Sequence, residues 1–213
     1  RDPQVIAAIK AGHHGRIAIS YMEWAGPYSQ ETVLHWTIID GEETAEAVAR
    51  KLEEAPISRK RMTSISSALE YAGKLLESNP YRGFRRVIDI SGDGPNNSGP
   101  PVTPIRDELV NKGIVINGLP IFIRPSQSSL FDISYLDRYY ADCVIGGPGS
   151  FMIPIRDKSE FATATRQKLL LEISALPPPP QLIPVQFVNE DEKTNCLIGE
   201  QLWRRYMDER IRN

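Results

Sequence analysis

Soft metal ligands are scarce. The 213-residue chain has two cysteines and three histidines, and neither cysteine has a Cys or His neighbour at zinc-ligand spacing, which excludes a structural zinc site. No apolar run approaches the ~20 residues that a membrane-crossing helix needs. Charge of one sign is missing too: Lys plus Arg number 25 against 27 Asp plus Glu. No basic cluster is interleaved with aromatics, so a nucleic-acid partner is not expected. There is no Gly-x-Ser-x-Gly elbow, and GGPG at 146–149 lacks the lysine of a phosphate loop. What remains is an ordinary globular composition, 41% hydrophobic and 24% charged, fit for one principal domain.

The patterning is that of an α/β protein. DPQVIAAIKAG reads as a short helix with proline in its first turn and Gly12 as its stop. RIAISYMEWA and ETVLHWTII alternate as strands, joined by GPYSQ as a hairpin connection. Residues 42–54 have helical spacing, as does the stretch after Thr63 up to Asn79 and Pro80. RRVIDIS, PPVTPIRDELVNKG and IVINGLPIFI then give strand, helix and strand, the pattern of a right-handed crossover in a parallel sheet. SLFDISYLDRYYAD is expected to be helical, DCVIGGPGSFMIP a short strand with a Gly-rich turn, and KSEFATATRQKLLLEISAL a long helix. Prolines 177–180 mark a boundary. The chain is therefore expected to hold a domain at 1–176 and a C-terminal extension at 177–213, with QLIPVQFVN an edge strand and LIGEQLWRRYMDERIRN a charged amphipathic helix.

Candidate chemistry gathers at one strand end. In open α/β sheets ligands bind outside the carboxyl ends of strands. Asp93 follows such a strand, between Gly92 and Gly94, ahead of Pro95, Asn96 and Asn97. Capping the turn is its structural alternative. Thr63 opens a helix; its hydroxyl can serve as an ordinary N-cap or as a ligand. A hydroxyl, a carboxylate and retained water suit Mg²⁺, but two protein ligands bind it weakly. His13 and His14 lack further ligands, and His35 beside Trp36 fits a packed imidazole. Trp24, Trp36 and Trp203 fit core or docking roles, and Glu190, Asp191 and Glu192 a solvated loop. For Cys143 and Cys196 two readings stand: a disulfide formed in an oxidising compartment, or two unpaired thiols.

Thr63 in RMTSISSALEYA and Asp93 in RRVIDISGDGPNN resemble the second and third parts of the metal-ion-dependent adhesion site of von Willebrand factor A domains. HGRIAISYMEWAG, RRVIDISGDGPNNSGPPV, INGLPI, YYADCVIGGPGSF and RQKLLLEI are similar to runs in a bacterial secreted or periplasmic A-domain-like family of unknown function. The resemblance covers roughly residues 1–175. It implies a Rossmann-like, mostly parallel sheet flanked by helices, and a location in the periplasm or outside the cell. The first motif, Asp-x-Ser-x-Ser on the first central strand, is not found, and the resemblance puts it upstream of Arg1. Asp89, Ser91 and Asp93 mimic its spacing, but no threonine loop follows them in the required order.

The resemblance implies a metal-ion-dependent protein-binding module rather than an enzyme. On it, Thr63 and Asp93 are expected to hold Mg²⁺, or Mn²⁺ or Ca²⁺, weakly without the upstream motif, with Ser64 and Ser91 in support. Asn96 and Asn97 are expected at the rim, and an acidic side chain of a protein partner is expected to complete the coordination. Two alternatives are a Mg²⁺-dependent hydrolase or phosphotransferase with Asp89 and Asp93 as paired carboxylates, and a metal-free assembly module acting through helix 197–213. The N-terminus, which starts at Arg1 rather than Met, is expected to be processed or trimmed, with any signal peptide out of view.

Overall fold

A computed structural model describes residues 1–56, 60–123, 133–174 and 194–212. Helix α1, Pro3–Ala11, begins where the Asp2 carboxylate accepts the Gln4 and Val5 N–H groups at 2.9 and 3.3 Å, and it stops at Gly12. Strands β1, Ile17–Trp24, and β2, Gln30–Ile39, form an antiparallel hairpin. Helix α2, Glu42–Glu54, returns to pack on β2, burying Ala45 and Val48 with Leu34 and Ile39. Helix α3, Ile65–Glu77, buries Ile65, Ala68 and Leu69.

The crossover follows as read. Strand β3, Arg86–Gly92, helix α4, Val102–Asn111, and strand β4, Ile114–Pro120, are arranged so that β3 and β4 pair in parallel from Arg86↔Ile114 to Gly92↔Pro120. Every residue of β4 is buried, as befits a strand covered on both faces. Its other edge takes residues 151–155: the Ile153 and Ile155 N–H groups donate to the Gly118 and Pro120 carbonyls at 3.1 and 2.9 Å. This stretch, expected as a short strand, forms isolated bridges instead. Helix α5, Leu136–Tyr139, runs into a π turn at 140–144 that turns Tyr139, Tyr140 and Cys143 fully inward. Helix α6, Phe161–Ser174, lies against α1, and helix α7, Ile198–Arg212, ends the described chain.

The strands form two pairs rather than one continuous sheet. Met22 and Trp24 of β1 pack against the core that includes Ile88 and Ile90 of β3, while Leu34 and Ile39 of β2 belong to a second core with α1 and α2. Among the described residues, however, no strand joins the free edge of β1 to that of β3. The consequence shows in burial: no residue of β1 is fully buried, and Asp89 and Ser91 of β3 are exposed. Among the described residues the fold is thus an α/β arrangement without the expected first central strand between the two pairs. The proline run and the expected edge strand at 181–189 lie outside the described residues, as do residues 129–132 and 175–176 of two expected helices and the run Glu190, Asp191 and Glu192. Of the extension, Cys196, Ile198 and Leu202 pack on the main core.

Candidate functional site

Three loops meet beyond the carboxyl ends of β1 and β3. The Ser64 N–H donates to the carbonyl of Ala25, just past β1, at 2.7 Å, and the Asn97 N–H donates to the Thr63 carbonyl at 2.8 Å. Gly94, beside Asp93, lies near the Thr63 hydroxyl: an added Cβ would stand in ordinary van der Waals contact with Oγ1, at 3.9 Å. The turn before α3 that carries Thr63 and the loop after β3 that carries Asp93 therefore adjoin at one edge.

Ser64, not Thr63, caps α3: its hydroxyl accepts the Ser67 N–H. Thr63 sits one residue earlier, half-buried, and among the described residues its hydroxyl has no hydrogen-bond partner. Asp93 is exposed, and its carboxylate likewise has no hydrogen-bond or ion-pair partner among the described residues. Beneath them lies Tyr140, fully buried, whose hydroxyl is an orphan among the described residues and would be only 2.8 Å from a Cβ on Gly92. Burial pushes the Tyr140 hydroxyl well above its ordinary range, and the charges of Tyr139 and Asp93 add to this. Free hard oxygens beside a carboxylate fit a divalent cation, whereas a turn-capping carboxylate would be using its own lone pairs.

Asn96 and Asn97 do not form a rim. Asn96 is 0% exposed and Asn97 is 6% exposed. The Asn97 Oδ1 accepts the Thr63 N–H at 2.8 Å. The Asn96 Oδ1 accepts from the Ser66 N–H at 3.1 Å and hydroxyl at 3.2 Å, while its amide donates to Pro100 O at 3.1 Å and Glu200 Oε1 at 2.7 Å. Both side chains are consumed in binding the loop to α3 and α7, which a polar GPNNS run alone does not reveal. Nothing in the sequence flagged Glu200 or Tyr139, whose hydroxyl accepts the Asn96 N–H at 3.2 Å.

Asp89 belongs elsewhere. It points to the opposite face from Ile88 and Ile90, where it pairs with the buried Lys168 of α6. Lys168 also donates to Glu172 at 2.8 Å, and Glu172 accepts from buried Asn117 at 2.7 Å. Burial, with Asp89 close by, pushes the Glu172 carboxyl up to about 8. Four residues along an extended strand separate Asp89 from Asp93 by roughly 13 Å. A cation about 2.1 Å from each ligand cannot touch both, so the paired-carboxylate arrangement is not formed. Ser91 is exposed on the Asp89 face, and Ser64 is spent on its cap. His14 stacks on Phe84 and His13 meets the same ring edge-on, and among the described residues no three His, Cys, Asp or Glu cluster as a metal site. Cys143 and Cys196 form a disulfide. Among the described residues no helix is long and apolar enough to cross a membrane.

Residues 1–177 match a family described as protein of unknown function (DUF1194). No curated protein matches the chain. Among solved structures, proximal thread matrix protein 1 from the mussel byssus, described with a zinc-occupied MIDAS motif, is similar at 14% identity and a TM-score of 0.53, over 73% of this chain and 35% of that one. The chain thus spans about a third of that protein. A second structure of the same mussel protein gives 10% identity and a TM-score of 0.54, over 81% and 43% of the two chains. The SpRpn10 VWA domain gives 10% identity and a TM-score of 0.53, over 77% and 78%. At such identities the likeness is one of fold, the von Willebrand factor A-like fold.

Proposed function

Because the chain belongs to the DUF1194 family and has a von Willebrand factor A-like fold, we propose that it is a metal-ion-dependent protein-binding module rather than an enzyme. The observation that carries this is the meeting of Asp93 and Thr63 at one strand edge, each with oxygens that no described residue uses. They would hold Mg²⁺, Mn²⁺ or Ca²⁺. The ion supplies an open coordination position that an acidic side chain of a protein partner can fill.

Two protein ligands hold such an ion weakly. The unpaired edges of β1 and β3 suit one further parallel strand, and ligands at its carboxyl end would face Asp93 and Thr63. Such a strand would also cover Asp89 and Ser91. The zinc described in the MIDAS motif of the mussel protein lends support from a protein of similar fold. The disulfide supports a periplasmic or secreted setting, since such bonds persist in oxidising compartments.

Paramagnetic broadening tests the location. Substoichiometric Mn²⁺ added to the isotopically labelled full-length protein is expected to broaden the amide signals of Thr63 and Gly94 before those of Asp89 or Lys168. Broadening centred on the Asp89 cluster, or spread evenly over acidic surface residues, contradicts the assignment.

A further inference from the structure

The C-terminal segment reaches the same loop from the far end of the sequence. Helix α7 sets its first turn directly on the backbone after Asp93: a Cβ at Gly199 would lie 2.1 Å from the Asn96 carbonyl oxygen and 3.2 Å from the Asn97 nitrogen. Only glycine permits that approach. The next residue, Glu200, accepts from the Asn96 amide at 2.7 Å, while its second oxygen is buried without a partner among the described residues. On its other side, Asn96 donates its backbone N–H to the Tyr139 hydroxyl. Tyr139 belongs to the helical stretch that carries Cys143, and α7 follows directly after Cys196. The loop is therefore gripped between two arms, and the Cys143–Cys196 disulfide ties those arms together.

We propose that residues 194–212 are a redox-held brace on the Asp93 loop, which stays fixed while the disulfide is intact and loosens when a dithiol reduces it. Cys143 is fully buried and Cys196 only partly so; the attack therefore falls on the Cys196 sulfur, with Cys143 leaving as thiolate. The second thiol of the reductant then resolves the mixed disulfide. Two electrons and two protons pass to Cys143 and Cys196, and the dithiol becomes a disulfide. Without the tie, the segment keeps only noncovalent contacts, among them Ile198 and Leu202 on the core, the Glu200 contact and the Thr194 hydroxyl donating to Asp142, against the entropy of closing the loop. The brace stands independently of the metal reading; only its effect on an ion rests on that reading.

Hydrogen exchange on the full-length protein tests this, with Mn²⁺ titration as a second readout. Three states are compared with the untreated protein: dithiol-reduced, Cys196→Ser, and Gly199→Ala. The last leaves the disulfide intact but forces α7 off Asn96. In all three, exchange at the Asn96 and Asn97 amides is expected to rise about tenfold or more, while Ile116 in the buried strand β4 stays protected. Mn²⁺ affinity is expected to fall about threefold or more, because the loop is no longer preorganised. Unchanged exchange at Asn96 and Asn97 overturns the brace. Equally fast exchange at Ile116 also overturns it, since the disulfide would then serve general stability. If the untreated protein binds no Mn²⁺, the metal reading fails, and exchange alone decides the brace.

Discussion

Thr63 and Asn97 hold each other twice: the Thr63 N–H donates to the Asn97 side-chain oxygen at 2.8 Å, and the Asn97 N–H returns to the Thr63 carbonyl at 2.8 Å. This reciprocal grip fixes the backbone of the candidate ligand Thr63 to the loop of the candidate ligand Asp93. Replacing Asn97 with leucine strands the Thr63 N–H in a nearly closed site, and is expected to cost about 1–3 kcal/mol in denaturant unfolding. Asn97→Asp, which keeps the accepting oxygen, should lose less. Equal losses for the two variants would show that the hydrogen bond is not what matters there.

Asn96 engages more partners and should matter more. Asn96→Ala removes the acceptor for Ser66 and the donor for Pro100 and Glu200. A fully buried, fully used side chain of this kind is expected to contribute about 2–4 kcal/mol. A loss below about 0.5 kcal/mol, within the usual range for surface substitutions, would mean that the loop is held by other contacts.

Gly99 has φ +84, and a Cβ there would stand 2.5 Å from the Ser64 hydroxyl that caps α3. Gly99→Ala meets both the left-handed backbone and the crowding, so destabilisation of about 1–3 kcal/mol is expected from thermal unfolding. Gly149, with φ +72 and nothing near its Cβ position, isolates the backbone part. Gly149→Ala should therefore cost less than Gly99→Ala, and the reverse order would refute the crowding argument.

The largely buried Lys168 and Glu172, beside the exposed Asp89, predict a pH dependence with a definite sign. Glu172 titrates near 4.5 in the unfolded chain and near 8 in the fold, chiefly through burial. Between those values the native state keeps a proton that the unfolded chain has released. The stability this group contributes is therefore complete below about 4.5 and falls as pH rises towards 8. Glu172→Gln imitates the protonated form and should remove that slope. Relative to wild type, the variant should be progressively stabilised from pH 5 to pH 8. A wild-type and variant difference that is flat across this window would show that Glu172 is ionised in the fold.

Much of this architecture was legible because its signals are local. The alternation in β1 and β2, the helical spacing of α2 and α3, and the strand, helix and strand of the crossover each lie within a few turns of chain. The site was legible in part. Asp93 and Thr63 each announce a strand end or helix start, but Ser64 takes the cap because its hydroxyl, one residue later, faces the first turn. Asn96 and Asn97 read as solvent-exposed turn residues, and their partners come from afar: Tyr139 and Glu200 for Asn96, Thr63 for Asn97. The fate of Asp89 was likewise written in Lys168, on the sixth helix. Long-range packing of polar side chains leaves no periodic trace, which is why these assignments needed the fold.

The proposed metal site requires that Asp93, and not Asp89, bind the cation. Calorimetric titration of Mg²⁺ and Mn²⁺ into the full-length protein and its Asp93→Ala and Asp89→Ala variants measures this directly. Loss of one carboxylate ligand is expected to weaken binding about tenfold or more in Asp93→Ala, with Asp89→Ala close to wild type. Equal affinity in wild type and Asp93→Ala, or a loss confined to Asp89→Ala, would contradict the metal site proposed at this strand edge.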